Sequence, residues 1–193
     1  MPHTGILLFE HKQRLREEMR AKRQGHADNH AGTFKNMAAL FVRDIELKPG
    51  SVVSSYHAFR DEMDPHHLNE ALRAQGHKIA LPVMVGKGLP LAFRLFEKDD
   101  VLARNAMGLH EPLPAGGPEV VPDVLLVPLL AFDVLRNRLG YGGGFYDRTI
   151  AGIYAHKPVM TVGIAYDYQK VPHVPVGPHD RQLDRIVTEV NVL

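Results

Sequence analysis

The run Arg138-Leu139-Gly140-Tyr141-Gly142-Gly143-Gly144-Phe145-Tyr146-Asp147-Arg148 decides how this chain is read. Four of the five positions from Gly140 to Gly144 are glycine, so almost no side chain holds a ligand off the backbone. Glycine also reaches positive φ without steric penalty, and successive N–H groups can then turn toward one point as an anion nest. Phe145, Tyr146, Ile150, Ile153 and Tyr154 follow at roughly helical spacing. Upstream, the apolar run from Val124 to Phe132 predicts a buried strand and its exit. Strand, glycine loop and helix N-terminus together favour phosphate, because the helix dipole and the free N–H groups attract negative charge. Arg138 and Arg148 flank the loop as cations, and Asp147 adds a hard oxygen ligand of the kind Mg²⁺ takes. A plain turn is the competing reading. The run has no G-x-x-x-x-G-K-[ST], and a G-x-G-x-x-G frame fails at Phe145.

At 193 residues the chain is the length of one domain with a sizeable core. Its composition, 45% hydrophobic and 23% charged, is that of an ordinary globular protein. A net charge of +1 argues against a general nucleic-acid or membrane-surface binder. With no cysteine there is no disulfide framework and no thiol chemistry. No apolar run reaches the ~18 residues that span a bilayer, and the N-terminus lacks a signal-peptide pattern, so a cytoplasmic protein is expected.

Residues 5–24 predict an amphipathic helix with six basic side chains between Lys12 and Arg23, read on charge alone as a solvated face with local ion pairs. Residues 30–46 predict a second helix, with Phe34, Ala38, Phe41 and Ile45 as its core stripe. Ser51 to Ala58 predicts the first strand. Its exit leads to a helix with Asp64 as N-cap, Pro65 in the first turn and Gly76 as terminator. Further strands are expected at His77 to Pro82, Leu91 to Phe96, Val159 to Ala165 and Asp184 to Val190. The alternation predicts a three-layer α/β fold: a mostly parallel sheet with helices on both faces, in a single domain over residues 1–193. In such sheets ligands bind at the carboxyl ends of the strands. His66-His67 suggests zinc, but no H-x-x-x-H pair with a helical glutamate accompanies it. A Ser/His/Asp hydrolase has less support still, since there is no G-x-S-x-G elbow.

The segment from Val127 to Arg148 resembles the signature of the 5-formyltetrahydrofolate cyclo-ligase (methenyltetrahydrofolate synthetase) family, V-P-x-x-A-F-D followed by R-L-G-(R/K)-G-x-G-Y-Y-D-R. This chain departs from it at Tyr141, where the family carries a basic residue, and at Phe145, where it carries tyrosine. Further segments match in order from Lys12 to Glu189: Lys12/Arg16, Glu62, Gly108-Leu109-His110-Glu111-Pro112, Gln169 and Asp184.

The resemblance implies ATP-dependent closure of 5-formyltetrahydrofolate to 5,10-methenyltetrahydrofolate, with Mg²⁺, through a phosphorylated formyl oxygen. It implies that Lys12, Arg16, Arg138, Gly140, Tyr141, Gly142, Gly143, Gly144, Phe145 and Tyr146 bind ATP. His57, Glu62 and the run from Gly142 to Tyr146 would meet the folate, Tyr146 and Arg148 would serve catalysis, and Asp147 and Asp184 would hold Mg²⁺. Lys12 and Arg16 are four residues apart, hence on one helix face. The implied partners are small molecules, with neither nucleic acid nor membrane, and the implied state is a monomer or weak homodimer. Two other classes stay open: a sugar-phosphate isomerase on a related scaffold, and a folate- or nucleotide-binding protein without catalysis, which Tyr141 and Phe145 keep in play.

Overall fold

The computed structural model describes residues 3–24, 31–105, 108–113 and 116–193. In chain order the elements are α1 (His3–Gln24), α2 (Ala31–Asp44), β1 (Val52–Ser54), α3 (His66–Ala74), β2 (Lys78–Met84), β3 (Leu91–Leu95), β4 (Leu102–Arg104) and β5 (His110–Pro112). There follow β6 (Val124–Pro128), β7 (Ala131–Phe132), β8 (Arg138–Leu139), α4 (Phe145–Tyr154), β9 (Met160–Ile164) and β10 (Arg185–Val187). Six strands form one sheet in the order β10-β9-β6-β1-β2-β3. All neighbours in it are parallel except β2 and β3. The expected mostly parallel sheet, covered by helices on both faces, is the architecture of the protein.

The centre of the sheet explains why. In β6, Val124 and Leu126 pack on the side of α2 and α3, with Met37, Phe41, Leu68 and Leu72. Leu125 and Val127 pack on the other side with Ile150 of α4. Residues that alternate across a strand and are apolar on both sides need cover on both, which only helices on each face supply. α1 packs elsewhere. Met19 lies against Leu130, Ala131 and Leu139, around the small β7–β8 hairpin.

The sequence places the four helices and the six strands of the main sheet but draws several strand boundaries too wide. The first strand is Val52–Ser54, and the expected run from Val124 to Phe132 is divided. Pro128 has no N–H to continue a ladder, so the chain leaves the main sheet there and re-pairs as β7 with β8. Neither this hairpin nor the β4–β5 hairpin is legible from periodicity, because strands of two or three residues hold no period. At α3 the cap position falls to Pro65 and not to the expected Asp64, which sits one residue earlier and accepts the His66 N–H on Oδ1 at 2.9 Å. Gly76 ends that helix with φ of 84° and donates its N–H to the Arg73 carbonyl. Among the described residues no helix is long and apolar enough to cross a membrane.

The β7–β8 turn is organised by Asp133, which is 1% exposed. Its carboxylate accepts from the Leu135, Asn137 and Val174 N–H groups and from the Asn137 amide. A carboxylate tolerates burial when donors replace its water. Replacing Asp133 with Ala leaves those donors unmatched below the glycine loop. It should lower unfolding free energy by about 3 kcal/mol or more, read as a shift in the denaturation midpoint. A loss below about 1 kcal/mol, the value of an ordinary exposed hydrogen bond, would remove Asp133 from that role.

Candidate active site

A cavity of about 600 Å³ opens at the carboxyl ends of β1 and β6. The glycine run forms one wall. It leaves β8 at Leu139 and enters α4 at Phe145, with Gly144 as the helix cap in the left-handed conformation at φ 64° and Gly142 at φ 103°. Both positions need glycine on backbone grounds. A Cβ on Gly143 would lie 2.8 Å from the Phe145 ring, and one on Gly144 2.7 Å from Arg148. The loop therefore brings bare backbone and the N-terminal end of α4 to the cavity, the arrangement that favours an anion.

Helix α1 crosses above this loop. Arg16 is buried and donates Nε–H to the Gly140 carbonyl at 2.9 Å. Burial, and after it the neighbouring Arg20 charge, hold its guanidinium below the usual range, against the pull of Asp180. A desolvated cation of this kind gains from an anion placed beside it. Lys12, one turn earlier, lines the same cavity and pairs with Asp180. The solvated-face reading of this helix therefore fails for Lys12, Arg16 and Arg23, which turn inward, and holds for Arg14, Glu17, Glu18 and Arg20, which are exposed.

Below the loop, Arg138 is held between two partners. It donates Nη2–H to Asp147 Oδ1 at 2.7 Å and Nη1–H to the Arg181 carbonyl. Asp147 Oδ1 also accepts the Arg181 N–H at 3.1 Å. Arg138, Asp147 and Tyr146 all line the cavity. Burial first, and then the Glu62 charge, push the Tyr146 phenol well above its ordinary range. It remains a neutral donor at any working pH.

The opposite wall comes from the loop after β1. Glu62 is 8% exposed and its Oε2 accepts the Phe59 N–H at 2.9 Å. Burial is the largest influence on its carboxyl and raises its pKa, against hydrogen bonds from Tyr141 and Phe59 and the charge of Arg23. His57 lines the cavity and meets His110 ring to ring at 4.7 Å.

Two expected residues are not brought to the cavity. Arg148 is absent from its walls; it donates Nη2–H to the Gly143 carbonyl at 2.7 Å and its guanidinium lies 5.3 Å from the Phe145 ring centre. Its side chain folds back along the outside of the glycine loop, with Nε buried, instead of entering the cavity. Asp184 lies at the amino ends of the strands, opposite the cavity. There its Oδ2 accepts from the Thr161 N–H and hydroxyl at 2.7 and 2.8 Å. Tyr141 lines the cavity but its hydroxyl meets Arg23 and Glu62, so the expectation of a phosphate contact is not the contact it makes.

Sequence reasoning missed Asp180, Arg23 and Glu111. Arg23 had a signal: positions 12, 16, 19 and 23 share one helical face, and Met19 marks it as buried. Asp180 had none, since it reaches Lys12 only by tertiary folding. Glu111 belongs to the matched segment, and its Oε2 accepts the Met84 N–H at 3.2 Å, which ties the β4–β5 hairpin to the end of β2. His66, His67 and Glu70 offer ligand atoms within 4.8 Å of one another on α3, but none of them lines the cavity.

Comparison with known proteins agrees with the geometry. The family model of the 5-formyltetrahydrofolate cyclo-ligase family matches residues 9–189. The 5-formyltetrahydrofolate cyclo-ligase of Escherichia coli K12 is 36% identical over 148 residues, covering 72% of this chain and 79% of that protein. The Mycolicibacterium smegmatis protein of the same name is 32% identical over 146 residues, covering 72% and 74%. In three dimensions the NMR structure of Aquifex aeolicus 5,10-methenyltetrahydrofolate synthetase superimposes with a TM-score of 0.75 at 27% identity, covering 94% of this chain and 91% of that one. A family match over most of the length, on a fold that gathers Lys12, Arg16, Glu62 and the glycine run at one cavity, means that this chain belongs to the 5-formyltetrahydrofolate cyclo-ligase family.

Proposed function

We propose that residues 1–193 work as one cyclo-ligase unit that closes 5-formyltetrahydrofolate to 5,10-methenyltetrahydrofolate with ATP, in the cytoplasm, as a monomer or weak homodimer. The observation that carries this reading is the meeting in one cavity of three groups: the cations Lys12, Arg16 and Arg138, the glycine backbone, and the buried carboxylate Glu62. The first two suit a triphosphate and the third suits the donor edge of an aminopyrimidine ring, which a carboxylate accepts with two oxygens.

The formyl oxygen on N5 is a poor leaving group. Transfer of the γ-phosphoryl of ATP to that oxygen releases ADP and leaves an iminium phosphate. N10 then attacks the formyl carbon, loses its proton, and phosphate departs as the ring closes. Such steps need alignment and charge neutralisation more than a strong base. Lys12 and Arg16 hold the phosphates from above, and the Gly142–Gly144 amides hold them from below. Tyr146, a neutral phenol, donates a hydrogen bond near the junction of the two substrates. Arg138 keeps Asp147 oriented.

The donor set fits Mg²⁺. Asp147 presents a charged carboxylate at the phosphate end with one oxygen held in place by Arg138 and Arg181, and a magnesium ion beside phosphates needs only one or two such ligands. When bound there, the ion offsets the charge of the transferred phosphoryl group. Asp184 has no part in this set.

The test is direct: purified protein with ATP, Mg²⁺ and 5-formyltetrahydrofolate should develop methenyl absorbance and release ADP in step. Turnover without ATP would move the protein to the isomerase-like class, and binding without ADP release would make it a binding protein. Two variants examine the roles. Lys12→Ala removes a charged phosphate contact and leaves Asp180 as an uncompensated anion, so the KM for ATP should rise about ten- to a hundredfold, while the folate KM holds. An unchanged ATP KM would return Lys12 to a simple pair with Asp180. Asp147→Asn keeps an oxygen for Arg138 but loses the charge, so kcat should fall about 100-fold or more and the Mg²⁺ requirement should rise. Near-normal kcat with a lower melting temperature would make Asp147 only the structural partner of Arg138.

A further inference from the structure

We infer that Tyr141 is a positioning residue for the folate side of the site, its hydroxyl linking the Glu62 carboxylate to the buried Arg23 of α1. This rests on the reading that Glu62 takes the pterin ring. Arg23 is 7% exposed and fixed at two points: Nε–H donates to the Asp61 carbonyl at 2.7 Å and Nη1–H donates to the Tyr141 hydroxyl at 2.6 Å. With the Arg23 proton occupying its lone pair, the hydroxyl directs its own proton to Glu62, to which it is hydrogen-bonded. Tyr141 as a whole residue is 41% exposed, while its hydroxyl lies between those two charges.

The chain Arg23–Tyr141–Glu62 joins α1, the glycine loop and the loop after β1, three segments distant in sequence. It does for Glu62 what a direct ion pair would not. An arginine in contact with the carboxylate would occupy both oxygens in a bidentate fork. The tyrosine donates to one acceptor position of the carboxylate and passes the influence of the cation at a distance, leaving acceptor capacity for a ligand. The other groups around Glu62 are placed to keep it in this arrangement. Phe59 donates its N–H to Oε2, the Tyr56 hydroxyl is spent on the Met63 carbonyl at 2.6 Å, and the Tyr166 hydroxyl is 3.5 Å from the Glu62 carbonyl oxygen. Tyr146 faces Glu62 from α4. Arg23 is the cation that acts on this carboxyl.

Burial raises the Glu62 carboxyl, and the Tyr141 hydrogen bond opposes that rise. The carboxylate accepts from the pterin; the protonated acid does so poorly. Folate affinity therefore falls as pH drops through the Glu62 titration. Removing the Tyr141 hydroxyl moves that titration upward, so the loss begins at higher pH. Tyr141 itself is pushed far above neutral and contributes no titration of its own in this range.

The experiment is calorimetric titration of 5-formyltetrahydrofolate and, separately, of ADP into wild type, Tyr141→Phe, Arg23→Gln and Glu62→Gln, from neutral to mildly acid solution. Tyr141→Phe should weaken folate about five- to tenfold, leave ADP within about twofold, and move the acid-side loss of folate affinity to higher pH. Arg23→Gln should move it in the same direction. Equal weakening of ADP and folate, or an unmoved pH onset with unmoved folate affinity, overturns the inference. The Glu62→Gln arm separates the two levels. If Glu62→Gln binds folate normally, the underlying pterin reading fails and this inference with it. If Glu62→Gln is weakened while Tyr141→Phe is normal, only the role of Tyr141 fails.

Discussion

The site depends on a short piece of backbone that only glycine can form. At Gly142 and Gly144 the chain takes φ of 103° and 64°, and at Gly143 a side chain would run into the Phe145 ring. The tight path turns the loop from β8 into the start of α4 within five residues. Charged groups then clasp it from three directions: Arg16 on the Gly140 carbonyl, Arg148 on the Gly143 carbonyl, and Arg138 with Asp147 beneath. Three arginines around one loop would repel each other if left unmatched. Each is matched by a carbonyl or a carboxylate, so the repulsion is converted into fixed geometry.

Fixed geometry is what a phosphoryl-transfer site requires. Groups that already point at the developing charge need no rearrangement when it appears. Helix α1 contributes most to this. Lys12, Arg16, Met19 and Arg23 occupy one face over about 16 Å of helix axis, and its charged members reach three groups: Asp180, the glycine loop and, through Tyr141, the Glu62 carboxylate. Met19, packed on the β7–β8 hairpin, is the apolar anchor between the charged positions. The hairpin in turn is held by the buried Asp133, so the cations of α1 and the loop they face stand on one support.

Much of this was legible in the residues. The two-sided apolar pattern of β6 and the helical stripe of α2 pointed to the layered sheet, and the glycine run with Arg138 pointed to one wall of the cavity. Asp184 was assigned by resemblance alone, although its place just before β10 puts it at the amino edge of the sheet, where it is bound to Thr161. Arg148 spends its guanidinium on the Gly143 carbonyl and the Phe145 ring, contacts that sequence does not announce. Asp180 and the Arg23–Tyr141–Glu62 chain could not be read, since they join segments far apart in sequence through contacts that no local period encodes. Composition led to the opposite conclusion for Arg23, because six basic residues in a row of twelve look like solvent-facing charge.

The resulting cavity is electrically two-ended. At one end stand Lys12, Arg16 and Arg138, and at the other a carboxylate is ringed by phenols that burial keeps protonated. Neutral phenols add no charge of their own, and Tyr141 donates to Glu62, so the carboxylate keeps its acceptor character while the opposite end keeps its positive field. A pair of substrates carrying polyanionic phosphate at one extremity and a ring of N–H donors at the other fits this polarity in one orientation only. The reverse orientation would bring phosphate against Glu62 and ring donors against three cations, and like charges or unmatched donors in a desolvated site are costly. In the proposed reaction this polarity fixes which atoms meet at the middle, where Tyr146 lies, before any chemistry begins.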